Sequence, residues 1–353
     1  MATIAQAIRM ALHYGEKNLG VTDVFGEDVG PPLGGVFTAT QGLETAWNSP
    51  LDERGIIGAA MGIAMAGGKP VAEIQFADYI FNTIDLLKLA GNLHWSSYGQ
   101  YHLPMVVMTP VGAGIHGSIY HSHSFESVAS HIPGWKIVAP SNAKDAYGLM
   151  IAAIKDPNPV LYLKSKALMR AVGDELIPGE PADKRALDSM INAPVGDRAD
   201  WQPRWPEGLT DYTIELGKAA VVRAGTDVTV ISYSRMLPLC VAAAAEIEAE
   251  TGIRAEVIDL RTLYPLDMET LEQSVRKTRR VLVVNEDTEV TNFGEHVLRK
   301  LIDRCFYHME APPTLLAGVD VPGIGLSPLL EDASVPQPAQ IKEKILELAK
   351  IPA

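Results

Sequence analysis

The chain has 353 residues, of which 47% are hydrophobic and 21% charged, and a formal net charge of −13. This is a globular profile with enough length for two cores, and the acidic balance excludes nonspecific nucleic-acid binding, which needs Lys and Arg clusters against phosphate. Two cysteines, Cys240 and Cys305, cannot build a disulfide framework; no apolar run reaches membrane-spanning length, and the N-terminus lacks signal-peptide architecture.

A reducing cytoplasm is therefore the expected location (a bacterial or archaeal cytosol, or the mitochondrial matrix for a processed eukaryotic chain). Neither nucleic acid nor a membrane is an expected partner.

Ile4, Ala7, Ile8, Ala11 and Leu12 recur at helical spacing, which predicts a first helix over residues 3–14. Val21–Val24 reads as a strand running into the turn Gly26-Glu27-Asp28-Val29-Gly30. Residues 53–66 mix Gly and Ala with Ile and Met, the composition of a closely packed, buried helix. Strands follow at 70–76, 104–109, 135–138 and 160–163, with helices at 83–95 and 143–154. After 171 the chain turns rich in Pro, Gly and Asp with little periodicity, a linker or inserted surface segment to residue 211; Trp201 and Trp205 argue that part of it packs. A second alternation begins near Tyr212, with strands at 228–232, 255–260 and 280–285 and helices at 239–249, 268–277 and 294–302. Residues 318–325 read as a turn-rich loop, and 338–350 as a terminal amphipathic helix. Strands alternating with helices imply an α/β chain with mostly parallel sheets. No coherent Gly-x-Gly-x-x-Gly follows a first strand, which argues against a nicotinamide dinucleotide.

Three patches could carry chemistry. Asp52 and Glu53 open the 53–66 helix, where carboxylates suit the positive end of the dipole. Gln75, Phe76 and Tyr79 follow a strand, with Phe76 and Phe81 expected in the core. His121 and His123 alternate with serines after Tyr120. A His-x-His pair can bind a metal, but no further ligand set recurs at suitable spacing. His116 reads as a loop residue near an entrance.

These patches, with Gly34-Gly35-Val36-Phe37, resemble the beta subunit of the thiamine-diphosphate-dependent 2-oxo acid dehydrogenases, the decarboxylating component of the branched-chain and pyruvate complexes. The order and spacing match over nearly the whole chain. The resemblance implies a transketolase-like pyrimidine-binding domain at 1–170, the 171–211 segment, and a transketolase C-terminal-like domain at 212–353. It makes Glu53 the glutamate that hydrogen-bonds the cofactor's aminopyrimidine, a role suited to a carboxyl of raised pKa. It packs the Tyr79 ring against the pyrimidine with Gln75 close by, and sets His121 at the mouth of the site to assist acyl transfer to a lipoyl arm. His123 and Phe125 depart from the family pattern. Lys164-Ser165-Lys166 stands where the family has Glu-Pro-Lys, a reversal of charge.

Asp156 and Asn158, in Asp156-Pro157-Asn158-Pro159, match a family loop that can hold potassium; the same residues make an ordinary helix-to-strand turn equally well. No Gly-Asp-Gly occurs, so the magnesium and the cofactor's diphosphate are expected on a separate alpha subunit in an α2β2 tetramer, which would serve a lipoyl-bearing dihydrolipoyl acyltransferase core. The implied reaction is oxidative decarboxylation of a 2-oxo acid with acyl transfer to lipoamide. Residues 34–37 and 73–79 look closest to branched-chain members, whereas His102-Leu103-Pro104-Met105 looks more like pyruvate members. A thiamine-dependent sugar-phosphate half enzyme of the transketolase type, or a non-catalytic scaffold, are the rival readings.

Overall fold

Thr3 opens the first helix with a reciprocal cap: its hydroxyl accepts from Gln6 N, and the Gln6 side chain accepts from Thr3 N. Two of the amide donors that a helix start leaves over are thereby satisfied. This helix, α1 (Ile4–Tyr14), is the first element of a computed structural model that describes residues 1–194, 196 and 201–352. Part of the expected 171–211 segment, at 195 and 197–200, lies outside the described residues. Contacts divide the chain into two units, Met1–Pro110 with His131–Leu216, and Val111–Ser130 with Gly217–Ala353.

The first unit carries β1 (Asp23–Gly26), β2 (Ala46–Asn48), β3 (Pro70–Glu73), β4 (Val106–Val111), β5 (Lys136–Val138) and β6 (Val160–Ser165). They run side by side in the order β5-β6-β4-β3-β1-β2. β1 pairs in parallel with β2 and β3, β3 with β4, and β5 with β6. Because side chains alternate along a strand, Val24, Val71, Val106, Val138 and Val160 share one face and join a core with α1 and α5 (Ala143–Lys155). Phe25, Ala72, Val107, Ile137 and Leu161 take the alternate positions and are also buried, as a sheet covered on both faces requires. Helices α2 (Glu53–Met65) and α3 (Ile84–Ser96) belong to the same unit, α2 packing on β3.

One expectation for α2 needs correction. Ile56, Ile57, Ala60 and Ala64 are buried, but Gly58, Ala59, Gly62 and Met65 are exposed, so the helix is buried along one face only. Phe81, expected in the core, is 39% exposed, and Phe76 is half-buried. The segment after 171 is not wholly irregular: it contains α6 (Lys184–Ile191), which buries Leu187 and Ile191 in the first unit's core. Trp205 stacks on His13 at 4.1 Å between ring centroids, which bears out the packing expected of the tryptophans.

The second unit begins with α4 (Glu126–Ser130) and resumes with β7 (Ala220–Arg223), β8 (Val228–Ser232), β9 (Ala255–Asp259), β10 (Thr262–Tyr264), β11 (Val281–Thr288) and β12 (Thr314–Gly318). Its sheet runs β12-β11-β8-β9-β7, with only the edge strand β7 antiparallel to its neighbour. Helices α7 (Met236–Thr251) and α11 (Pro338–Lys350) share a core with Val228, Val230, Val257, Leu282 and Val284. From the other face, α8 (Met268–Thr278) presents Ser274 and Thr278, which share hydrogen bonds with Thr229 at 2.7 and 2.6 Å. The remaining helices are α9 (Phe293–Cys305) and α10 (Pro328–Ser334). Both units are therefore α/β with mostly parallel sheets, as the alternation predicts. No helix among the described residues is long and apolar enough to cross a membrane.

The first unit buries a complete ion pair. Glu73, at the end of β3, and Lys164, on β6, have no exposed side-chain area and bond through Glu73 Oε2 and Lys164 Nζ. Glu73 Oε1 also accepts from Val36 N at 2.9 Å. Gly35 precedes that amide at φ +73, where an added Cβ would lie 2.6 Å from Thr40 Oγ1. The turn thus needs glycine to bring the amide to the carboxylate. Removing one member of such a pair leaves a buried charge without its partner. Lys164→Ala is expected to cost about 3–5 kcal/mol in urea unfolding.

Candidate active site

Glu53 is the first residue of α2. Asp52 before it is extended (φ −161°, ψ 94°), so the Glu53 carboxylate stands in the first helical turn, at the positive end of the dipole. It is half-buried, and its Oε2 accepts from Asn82 Nδ2 at 3.0 Å. Arg54 fastens the start of α2 to that of α3, donating to both Asp85 oxygens at 2.5 and 2.9 Å and to Asn82 O at 3.0 Å. Glu53 therefore sits between two anchored helix starts.

A second carboxyl faces it. Glu27, in the turn after β1, has its pKa raised by burial, then by the charges of Asp28 and Glu53. Asp28, at φ +61, accepts from Gln75 Nε2 at 3.1 Å. The structure thus brings the Gly26–Gly30 turn, Glu53 and Gln75 into one acidic neighbourhood. Sequence reading singled out the turn as a motif but assigned no role to Glu27; its place at the C-terminal end of a parallel strand was the available signal. Tyr79 lies in the turn that follows β3. It is half-buried, meets Phe76 edge to face at 6.2 Å between centroids, and donates its N–H to Phe76 O at 3.0 Å. Lys166 Nζ lies 5.6 Å from the Phe76 ring centroid. The reversed charge of the 164–166 segment thus has a structural answer: Lys164 meets Glu73, and Lys166 lies against an aromatic face.

His121 belongs to the second unit, on the stretch between β4 and α4. It is half-buried after a short turn at Ser118–Tyr120, whereas His116 and His123 are exposed. This stretch is held by carboxylates from distant parts of the chain. Glu331 accepts from Gly114 N at 2.9 Å and His116 N at 2.8 Å, and its Oε1 lies 3.5 Å from the His116 ring. Glu286 accepts from Ala113 N at 3.0 Å and Arg235 Nη1 at 3.1 Å. Asp287 accepts from Ser127 Oγ at 2.5 Å, and that hydroxyl accepts from Phe293 N at 3.0 Å. His116 and Ser118 are held at φ +56 and +60, a left-handed conformation that persists only where neighbours fix it. A cavity of about 210 Å³ is lined by Ser122, His123, Ser124, Glu286, Asp287 and Asp320. Sequence reading found none of these carboxylates, because topology alone brings them to the loop.

Asp156 and Asn158 lie together in the turn after α5. Asp156 Oδ1 accepts from Asn158 N at 3.0 Å, and its Oδ2 pairs with Lys136 Nζ. Asn158 Oδ1 is buried without a hydrogen-bond partner. The turn therefore offers a cation one open side-chain oxygen, while an ammonium already meets the carboxylate. Among the described residues no group of three or more His, Cys, Asp or Glu side chains is placed to hold a metal ion.

Comparison with known proteins places these features in context. Residues 1–171 match the family described as the transketolase pyrimidine-binding domain, and residues 217–341 the transketolase C-terminal domain. The chain is 38% identical to the 2-oxoisovalerate dehydrogenase subunit beta of Pseudomonas aeruginosa, over 91% of this chain and 88% of that one. It is 37% identical to the pyruvate dehydrogenase E1 component subunit beta of Bacillus subtilis, over 90% of each. Among solved structures, a split-gene transketolase described as an inactive beta4 tetramer superposes with a TM-score of 0.71 over 99% of both chains, at 19% identity.

The loop's anchors should leave a mark on pH dependence. Glu126 is buried, accepting from Phe125 N at 3.0 Å and Tyr233 Oη at 3.1 Å. Burial, then the charge of Asp287, pushes its carboxyl from the ordinary 4.5 up to about 8. A carboxyl that binds its proton more tightly when folded contributes stability that is fully present below about 4.5 and is lost as pH rises through about 8. Glu126→Gln, which keeps the shape without the charge, is expected to flatten the fall in stability across that window. Thermal unfolding of both proteins at a series of pH values checks this; parallel curves would refute it.

Proposed function

The chain belongs to the family of 2-oxo acid dehydrogenase beta subunits built from transketolase pyrimidine-binding and C-terminal domains, and on that premise we propose that it forms the pyrimidine-binding half of a thiamine diphosphate site. With an alpha subunit it would decarboxylate a branched-chain 2-oxo acid and pass the acyl group to lipoamide. The observation that carries this reading is Glu53: a carboxylate at the positive end of α2, oriented by Asn82 and facing a second carboxyl, Glu27, whose pKa is raised. A carboxylate so placed can hydrogen-bond a ring nitrogen of a heterocycle laid against the start of α2. The half-buried Tyr79 ring and the Gln75 amide suit an aromatic, hydrogen-bonding heterocycle.

When bound, thiamine diphosphate supplies the nucleophilic carbon and the electron sink that decarboxylation needs. The chain's own residues then have separate tasks. Glu53 would hydrogen-bond the aminopyrimidine and hold its proton, Tyr79 would pack on the ring, and Gln75 would fix the Asp28 side of the pocket. His121, an imidazole that can donate or accept a proton, would serve the transfer to the lipoyl arm.

The alpha subunit's place is suggested by α2 and α3. The exposed Gly58, Ala59, Gly62 and Met65 of α2 lie on the helix that starts at Glu53, and the neighbouring Leu89, Trp95 and Tyr98 leave a broad apolar surface, Trp95 and Tyr98 being 84% and 95% exposed. Monomeric surfaces rarely show such patches, whereas interfaces do. Magnesium and the diphosphate would be held by that partner in an α2β2 assembly, which would in turn serve a lipoyl-bearing acyltransferase. Potassium would find Asn158 Oδ1 open, but with Asp156 already matched by Lys136 the turn needs no ion to be stable.

Copurification with an alpha chain and a decarboxylation assay across 2-oxo acids tests the proposal. Branched-chain substrates are expected to give the highest kcat/KM; a preference for pyruvate would reassign the substrate, and no decarboxylation would overturn the reading. In that assembly Glu53→Gln is expected to slow hydrogen exchange at the thiazolium carbon roughly a hundred- to ten-thousandfold while the assembly stays folded. Unchanged exchange would leave Glu53 a helix-dipole residue.

His121→Ala should separate chemistry from transfer. Turnover through the lipoyl domain is expected to fall much further than decarboxylation read with an artificial electron acceptor, which bypasses the lipoyl step. Equal losses would move His121 to an earlier step.

A further inference from the structure

Among the described residues, the first unit contains a buried cation with no carboxylate bonded to it. Arg9, on α1, is 1% exposed. Its Nη1 donates to Ile191 O at 2.6 Å and Asn192 Oδ1 at 3.3 Å, and its Nη2 to Thr38 Oγ1 at 2.9 Å. All three acceptors are neutral. Nε is buried and bonds to nothing. Burial pulls the guanidinium down to about 10, which leaves it fully charged at neutral pH. A charge taken out of water is ordinarily matched by an opposite one.

The acidic side chain in the same surroundings is already committed. Asp188, on α6, accepts from Lys184 Nζ at 2.7 and 2.8 Å, from Gln6 Nε2 at 2.8 Å and from Asn192 Nδ2 at 3.2 Å. Burial pushes its carboxyl up, but these bonds outweigh burial and hold it below the usual range. Beside these groups lies a cavity of about 310 Å³, lined by Arg9, Gln6, Thr38, Gln41, Arg170 and Lys184 among others. Arg170 is exposed. Among the described residues, the cavity therefore gathers two arginines and a lysine against one carboxylate that its neighbours have already satisfied.

We propose that this cavity binds a small oxyanion, a phosphate or a carboxylate, that supplies the missing counter-charge to Arg9 and is met from the solvent side by Arg170. Planar guanidinium groups suit either anion, because their paired N–H donors match two oxygens at once. The site is separate from the Glu53 neighbourhood and does not depend on the proposed reaction. Its walls come from α1, from the turn that carries Thr38, and from α6 in the 171–211 segment. Phe37 and Thr38 are both held in left-handed conformations, at φ +58 and +60, and Thr38 is one of the groups that Arg9 grips. A bound anion would tie three elements together and raise the stability of the unit.

Calorimetry and thermal unfolding on the full chain, with inorganic phosphate and with succinate, test the site. Sodium chloride at matched ionic strength is the control. Saturable heat and a raised unfolding midpoint are expected, with the tighter of the two anions naming the class. Arg170→Glu reverses an exposed charge without touching a buried contact, and is expected to weaken binding by about tenfold or more. Arg9→Gln is expected to abolish it; should that variant fail to fold, Arg170→Glu decides alone. No saturable heat from either anion, or binding that Arg170→Glu leaves unchanged, overturns the proposal.

Discussion

The Glu73–Lys164 pair is the constraint on which the first unit's candidate site rests. Neither side chain touches water, so neither charge could be there without the other. The pair acts at the end of β3, one residue before the stretch that carries Gln75 and Tyr79, and its second oxygen holds Val36 N in the Gly34–Gln41 turn. One carboxylate thus ties the end of β3, from which the Tyr79 segment departs, to that turn. A hydrophobic replacement of similar volume could be as stable, but it would have no oxygen to offer the turn's amide. The pair makes sense as a device for placing a loop rather than for holding a core together.

The second unit solves a similar problem with more groups. Two of its left-handed residues, His116 and Ser118, stand close to His121 in the chain, and the backbone around His116 is held by Glu331, which is 217 residues from Gly114 in sequence. Hydrogen bonds from amides to a carboxylate are stronger than those between neutral groups, which suits them to keeping a strained loop in one shape. Gathering Glu126, Glu286 and Asp287 has a cost, expressed in the raised pKa of Glu126. At neutral pH that carboxyl is largely protonated, which lets the cluster exist without three adjacent negative charges.

The sequence made the central strands legible because a strand covered on both faces must be apolar throughout: Val228–Ser232 falls where its composition puts it, and the helices at Ile4–Tyr14, Ile84–Ser96 and Met268–Thr278 lie within a residue or two of their periodicity. Among the strands it missed, β2, β7 and β12 lie at sheet edges, where half the pairing partners are absent and the apolar signal is weak. Helix α6 escaped notice because it buries only Leu187 and Ile191, one i, i+4 pair among Asp, Ser and Lys. At the site, Glu53 was visible as a carboxylate at a helix start and Gln75 and Tyr79 as a cluster after a strand. Glu27, Glu331 and Arg9 were not, since what distinguishes them is a neighbour far away in the chain.

The most instructive error concerns α2. Its glycines and alanines read as the packing surface of a buried helix, yet Gly58, Ala59 and Gly62 face outward. Glycines have no purpose on a solvated helix face, where they lower helix stability and cover nothing. They have one where another backbone must come close. Composition is selected in the assembled protein, so a chain that works as half of a site carries the burial pattern of the whole. If the proposed second chain covers this face, the misread helix and the acidic neighbourhood at its first residue share one origin, since Glu53 opens the helix that such a chain would approach.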